Sequence, residues 1–237
     1  MLRVLYRISD GGNLKDKLPH AYKFYCLQNC INAFGSEGFY VFADNCKEQT
    51  LADLSQLDVQ LLQTSLGNAA SWRNIVQFAI DNFGPNDEVY LVEDDYLHLP
   101  DARKVLLEGI QIADYATLYD HPDKYLNPQH GGNPLVKNGG EYSRVLLTYS
   151  SHWKITNSTT MTFGTTVKIL KEDQNIWWKY TAKKTPQDFK AFAELCGHSY
   201  LKNKVSSPKR KLISCLPARA THTELKHLAP LIDWYKV

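Results

Sequence analysis

In the first half of the chain, apolar positions fall into short runs separated by stretches with helical spacing. Runs rich in Val, Leu, Ile, Phe and Tyr at 2–8, 38–43, 59–64 and 88–92 predict strands. Turn signals close them: Ser9-Asp10-Gly11-Gly12 after the first and Asp44-Asn45-Cys46 after the second. Between them, 17–34 places Tyr22, Cys26, Leu27, Cys30 and Ile31 on one helical face. Shorter helical patterns occupy 50–54, 71–83 and 100–112. Gly84-Pro85 stops the second of these, and Pro100-Asp101 suits the first turn of the third. This alternation predicts an α/β fold: a mixed, mainly parallel sheet with helices on both faces.

The second half is less regular. A short strand is expected at 116–118, then a long loop over 120–141 rich in Pro, Gly, Asn and His. Loops of that length in compact domains tend to carry function or stay disordered. His121 and His130 with the glycines around them suit a ligand-binding flap as well as a disordered loop. Antiparallel strands are expected at 143–149, 153–156 and 161–163, and helices at 167–180 and 185–195. Thr185 suits the N-cap of the latter helix, with Asp188 at its third position. A basic loop at 206–211 precedes a strand at 212–216, and the tail 221–235 has helical character. No repeat or linker interrupts the chain, so 1–237 reads as one domain, with a regular α/β half (1–115) and a less regular half (116–237).

Charge and cysteine content narrow the function classes. A net charge of +2 argues against bulk electrostatic capture of nucleic acid. The five cysteines lack zinc spacing and read as reduced, mostly core residues of a cytoplasmic protein. No stretch approaches a membrane span, which leaves peripheral membrane contact open. Neither a dinucleotide-binding G-x-G-x-x-G nor a P-loop is present. The 14 tyrosines and 5 tryptophans suit sugar or base stacking and ordinary cores alike. Trp153, Trp177 and Trp178 are assigned to the core.

The sharpest chemical signal is Val89-Tyr90-Leu91-Val92-Glu93-Asp94-Asp95, an apolar strand that ends in three consecutive acids. Adjacent carboxylates repel, and a strand end on a core hydrates them poorly. A bound Mg²⁺ or Mn²⁺ shared with substrate phosphates relieves both problems. The carboxyl ends of parallel strands are also where α/β sheets bind ligands. A solvated acidic loop is the plainer alternative.

With these residues in place, the chain resembles the GT-A glycosyltransferases, in particular their family 2-like branch. Glu93-Asp94-Asp95 is similar to the DxD motif, with Glu at its first position. Gly67-Asn68-Ala69-Ala70-Ser71-Trp72-Arg73-Asn74 resembles the helix start that precedes that motif. Lys184-Thr185-Pro186-Gln187-Asp188-Phe189 resembles the region that carries the base of inverting members, with Gln-Asp in place of Glu-Asp. Ala220-Thr221-His222 resembles the C-terminal histidine that completes a metal site. No Q-x-x-R-W motif of processive synthases occurs.

The resemblance implies a metal-dependent, inverting glycosyltransferase acting on a nucleotide-diphospho-sugar donor and a glycan or glycoconjugate hydroxyl acceptor. It implies Mn²⁺ or Mg²⁺ at Asp95 and His222. Donor contacts are expected from Arg7, Ser9, Asp10, Asp44, Asn68, Ser71, Glu93 and Asp94, and the base from Asp188. Glu172 and Asp173 compete for the base role, and Asp188 suits a helix-dipole role equally well. Asp10 and Asp44 also suit plain turns, Arg7 a structural ion pair, and His222 an ordinary surface or core position. Lys209, Arg210, Lys211 and Arg219 flank the expected phosphate side, and a solvated basic surface suits that loop equally well. A catalytically silent nucleotide- or glycan-binding subunit is the alternative from another class. A nucleotidylyltransferase is disfavoured, because Asp10-Gly11-Gly12-Asn13 is too short a match to its signature.

Overall fold

The computed structural model describes residues 1–11, 15–198 and 210–237. Gly12, Asn13 and most of the 206–211 loop, including Lys209, lie outside the described residues. Among the described residues, a sheet of nine strands runs in the order β3-β2-β1-β4-β9-β6-β10-β8-β7. Its parallel part is β1 (Leu2–Ser9), β2 (Phe39–Asp44), β3 (Gln60–Thr64) and β4 (Glu88–Glu93). β9 (Phe163–Thr166) is antiparallel to both β4 and β6 (Tyr115–Thr117), and β10 (Leu212–Leu216) is parallel to β6. β7 (Val145–Leu147) and β8 (His152–Ile155) extend the far edge in antiparallel fashion. A separate two-stranded ribbon pairs β5 (Tyr96–His98) with β11 (Ala220–His222).

The central strands are covered on both faces, which is why their sequences read as near-continuous apolar runs. Alternate residues divide between two cores. Val4, Tyr6, Ile8, Tyr90 and Val92 face α1 (Lys23–Phe34) and α4 (Ala102–Ile110). Leu5, Val89 and Leu91 face α3 (Asn68–Asn82), α5 (Val167–Glu172), α6 (Gln174–Tyr180) and α7 (Asp188–Leu195). The second core centres on Trp72, Tyr115, Phe163, Trp177 and Phe192, whose rings meet at 5.1–6.4 Å between centroids. α2 (Glu48–Leu54) sends Leu54 into the first core, with Leu51 packed against it.

Several sequence expectations are corrected. α1 begins at Lys23, because the 15–18 segment pairs instead with the chain after β11: Leu18 N–H donates to the Thr223 carbonyl and Lys17 bridges to Glu224. The expected 167–180 helix divides at Asp173, whose backbone departs from helical geometry (φ −97°, ψ 5°). Gln187, not Thr185, precedes α7, so Asp188 is its first helical residue. The tail forms β11 and two 3₁₀ turns, at Leu225–His227 and Trp234–Lys236, in place of a helix. The 120–141 loop is ordered around 3₁₀ turns at Pro122–Tyr125 and Pro128–His130.

Buried His98 gives the fold a defined acid sensitivity. Its Nε2 meets the Tyr90 hydroxyl at 2.9 Å, its Nδ1 has no partner, and burial holds its pKa down at about 3. The unfolded chain takes up this proton near pH 6.5 and the folded chain does not, so stability is full above pH 6.5 and falls on acidification towards pH 3. The expected loss is about 1.4 kcal/mol per pH unit from this group. Urea unfolding of parent and His98→Gln at pH 6.5 and 5 checks it. The variant is expected to lack roughly 2 kcal/mol of the parent's pH-dependent loss; equal losses contradict the assignment.

Candidate active site

The carboxyl ends of β1, β2 and β4 meet at one edge of the sheet, with Ser9 opposite Asp44 and Arg7 opposite Glu93. β9 runs the other way, so the 158–162 segment before it reaches the same edge. The β5–β11 ribbon pairs Tyr96 with His222 and so sets His222 beside Asp95.

The three acids point to three different partners. Glu93 takes the Arg7 guanidinium at 2.6 Å, and the same guanidinium donates to the Asn68 side chain (2.6 Å) and Ser71 Oγ (3.4 Å). Four residues expected at the donor site are therefore gathered in one network that ties β1, β4 and the start of α3. Asp94 Oδ2 accepts from the Ser9 amide at 3.0 Å and has Lys23 Nζ at 4.0 Å. Asp95 Oδ2 meets His222 Nε2 at 3.1 Å, Lys15 Nζ at 3.3 Å and Lys17 Nζ at 3.5 Å. The mutual repulsion expected from the sequence is thus met by the chain's own cations.

These environments separate the three titrations. Burial pushes Glu93 up, against Arg7. Burial and the Asp95 charge push Asp94 up to about 6, against the Ser9 amide. Burial also works against the Asp95 charge, but the hydrogen bond and charge of His222, with Lys17 and Lys15, hold Asp95 well below the usual carboxylate range. Asp95 is the member of the trio that stays ionised and turned towards cations.

The other strand-end acids brace loops. Asp44 is buried, and its carboxylate accepts from Thr64 Oγ1, Asn45 Nδ2 and the amides of Leu66 and Gly67 at 2.6–2.9 Å. This holds the turn into α3, where Gly67 has φ +83°, a conformation that favours glycine. Asp10 accepts from the Lys47 amide and Thr50 Oγ1, both at 2.8 Å, at the start of α2.

Beside the acids lies a polar pocket of about 200 Å³, lined by His121, Asp123, Lys124, Asn133, Thr160 and Asp188 among others. Thr160 Oγ1 bonds the Tyr96 hydroxyl and Thr162 Oγ1 accepts from the Glu93 amide, so the segment that lines the pocket also holds the acid end of β4. Burial raises the Asp188 pKa; the Phe189 amide and His121 oppose this and Asp123 adds to it. His121 Nδ1 lies 3.0 Å from Asp123 Oδ1.

Other basic and acidic candidates fall elsewhere. Arg210 and Lys211 sit at the start of β10, the opposite edge of the sheet from the acids. Arg210 is paired there with Asp173 (2.9 Å) and Glu172 (2.7 Å), so neither of those acids reaches the cleft. Asp173 also accepts from the Tyr115 hydroxyl in the core. Arg219 is paired with Asp101. Trp153 and Trp177 are buried core residues. Sequence reasoning missed Lys15, Lys17, Lys23 and the Asp123–Lys124–Asn133 wall of the pocket. The Lys15-Asp16-Lys17 spacing after the first strand was the available signal for two of them.

A divalent ion was expected at Asp95 and His222. Their facing oxygen and nitrogen, 3.1 Å apart, form a donor pair, and the two lysine ammonium groups within 3.5 Å of that oxygen show that the locus favours positive charge. Among the described residues no third His, Cys, Asp or Glu joins them in a cage. The pair therefore fits an ion whose remaining positions are filled by phosphate oxygens and water. His222 Nδ1 accepts from the Glu224 amide, which leaves the ring proton on Nε2. Taking an ion at Nε2 moves that proton and breaks the Glu224 bond.

Strand order, mixed pairing and an acid cluster at the end of β4 define a GT-A fold. The chain is similar in structure to GalNAc-T7 with UDP, GalNAc and Mn²⁺: TM-score 0.56, 12% identity, 93% of this chain and 43% of that chain. It is also similar to TarS of S. aureus (TM-score 0.49, 16% identity, 89% of this chain and 36% of that one). A third is the galactosyltransferase LgtC with donor and acceptor sugar analogues (TM-score 0.43, 9% identity, 81% and 69%). Of these three the first exceeds a TM-score of 0.5, and at 12% identity the likeness is one of fold. The chain spans less than half the length of that GalNAc-T7 chain. No protein-family profile matches the sequence, and no match occurs among curated proteins. No helix among the described residues is long and apolar enough to cross a membrane.

Proposed function

We propose that this chain is a glycosyltransferase that moves a sugar from a nucleotide-diphospho-sugar to a hydroxyl acceptor, with inversion, in one domain. The observation that carries the reading is the juxtaposition at one sheet edge of a cation-seeking carboxylate, Asp95 with His222, and a polar pocket that contains a half-buried carboxyl, Asp188. That arrangement supplies the two things the reaction needs: positive charge for a leaving diphosphate and a proton acceptor for the incoming hydroxyl.

Asp95 and His222 would hold the divalent ion, with Mn²⁺ favoured over Mg²⁺ because an imidazole nitrogen is one of the two donors. When bound, the ion supplies Lewis-acid stabilisation of diphosphate charge. Arg7, Asn68, Ser71 and Glu93 frame the floor of the donor cleft, and Ser9 and Asp94 fix the turn beside it. Asp10 and Asp44 shape its rim by bracing α2 and the turn into α3. Asp188 accepts the acceptor hydroxyl proton; its burial raises proton affinity towards the value a base needs near neutrality. The acceptor, a glycan or glycoconjugate, enters past the 120–141 segment, whose His121, Asp123, Lys124 and Asn133 line the pocket.

The test is a thermal-shift panel of nucleoside diphosphates with and without Mn²⁺. A ligand that binds the native state at about 100 times its Kd adds about 2.7 kcal/mol of stability. For a chain of this size that raises Tm by about 5–10 °C. One nucleotide is expected to give this shift with Mn²⁺ and a smaller one without. A flat panel under both conditions contradicts the reading.

A further inference from the structure

We infer that Lys15 and Lys17 are diphosphate-binding residues that stand in for the ion at Asp95 until substrate arrives; this rests on the nucleotide-sugar reading above. Asp95 carries one negative charge, yet Lys15 Nζ, Lys17 Nζ and His222 Nε2 all lie within 3.5 Å of its Oδ2. The neighbouring acids do not account for the lysines, since Glu93 is held by Arg7 and Asp94 by the Ser9 amide and Lys23. Lys15 has Glu224 as a second, more distant partner at 3.7 Å. The single Asp95 oxygen therefore gathers two ammonium groups and a ring nitrogen, and the two lysine side chains remain 35% and 25% exposed. They can leave Asp95 for an incoming anion without unburying anything.

Their placement is fixed by backbone, not by chance reach. Leu18 N–H donates to the Thr223 carbonyl, Leu225 N–H donates to the Asp16 carbonyl, and Lys17 bridges to Glu224. The 15–18 segment is thus strapped to the residues that follow β11, and both ammonium groups travel with His222. A diphosphate seated on an ion at Asp95 and His222 meets these two point charges, the form in which lysine binds phosphate.

The arrangement has a consequence for binding order. Without diphosphate, the lysines and a divalent ion compete for the same carboxylate oxygen. With diphosphate, the lysines gain an anion and release that oxygen. Ion and diphosphate then favour each other's binding, and by linkage the coupling is the same in both directions.

The test measures binding of Mn²⁺ alone and of inorganic pyrophosphate with Mn²⁺, by calorimetry and by the Mn²⁺ EPR signal. The proteins are the parent, the Lys15→Ala/Lys17→Ala double variant and the charge-preserving Lys15→Arg/Lys17→Arg. In the alanine variant Mn²⁺ alone is expected to bind roughly tenfold tighter, because two competing cations are gone. Pyrophosphate with Mn²⁺ is expected to bind about a hundredfold weaker, the size of lost charge-assisted contacts. The arginine variant is expected to recover most of the pyrophosphate affinity. An alanine variant that binds Mn²⁺-pyrophosphate like the parent overturns the inference, as does one in which Mn²⁺ alone binds more weakly. If the pyrophosphate results hold but the parent binds no nucleoside diphosphate, the lysine assignment stands and the nucleotide-sugar reading fails.

Discussion

Asp95→Ala is expected to remove the Mn²⁺-dependent nucleotide stabilisation of about 5–10 °C almost completely. Asp95 is the one acid of the trio turned towards His222 and the lysines. Glu93 and Asp94 cannot replace it, because Arg7 and the Ser9 amide hold them in other directions. Loss of one of two protein donors is expected to weaken Mn²⁺ by at least about a hundredfold, since even partners outside the ligand sphere contribute 10–100-fold. The fold should persist: the Asp95 carbonyl still accepts from the Thr223 amide, and the orphaned lysines are already partly in solvent. Thermal shift with the nucleotide that stabilises the parent, with and without Mn²⁺, reads the result. A variant that keeps the full Mn²⁺-dependent shift shows that the ion lies elsewhere.

Asp188→Asn is expected to lower transfer by roughly two to four orders of magnitude, the range for loss of a general base. Asn keeps the shape and can still accept from the Phe189 amide, which donates to Asp188 Oδ1 at 2.7 Å. Donor affinity should barely change, because Asp188 lines the pocket and not the Asp95–His222 locus. Folding stability should not fall appreciably either, since burial already disfavours the Asp188 charge. If Asp188 only complements the dipole of α7, the variant instead costs about 0.3–1 kcal/mol of stability and transfers at the parental rate. Turnover under saturating donor separates the two, and the anomeric configuration of the product by NMR separates inversion from retention. A retained configuration removes the need for this base.

The parallel half of the sheet was legible because strands covered on both faces leave apolar runs, and turn residues punctuate them. The acid cluster stood out in the sequence as a candidate site because three adjacent acids at a strand end need partners that the local sequence does not supply. Which of the three turns towards His222, Lys15 and Lys17 was not legible: it depends on the pairing of Arg7 with Glu93 and on the ribbon that brings His222 beside Asp95. Lys15 and Lys17 were hidden for the same reason, since Lys15 and His222 are 207 positions apart in the chain. Local signals misled where tertiary partners override them. The helical spacing over 167–180 is real, but Asp173 turns aside to take Arg210 and the Tyr115 hydroxyl, and the helix divides there. The expected grouping of Arg210 with the phosphate side failed with it. Asp44 was located at the correct edge, yet only the structure reveals that its carboxylate is engaged by the turn into α3.

The measurement that bears most directly on the proposed activity is ³¹P NMR of the parent protein with each nucleotide-diphospho-sugar and Mn²⁺. Slow release of nucleoside diphosphate from one donor without acceptor is the expected result, abolished by EDTA and by Asp95→Ala. A parent protein that neither binds nor cleaves any donor in the panel, with Mn²⁺ and a range of sugar acceptors present, would contradict glycosyl transfer as the work of this cleft.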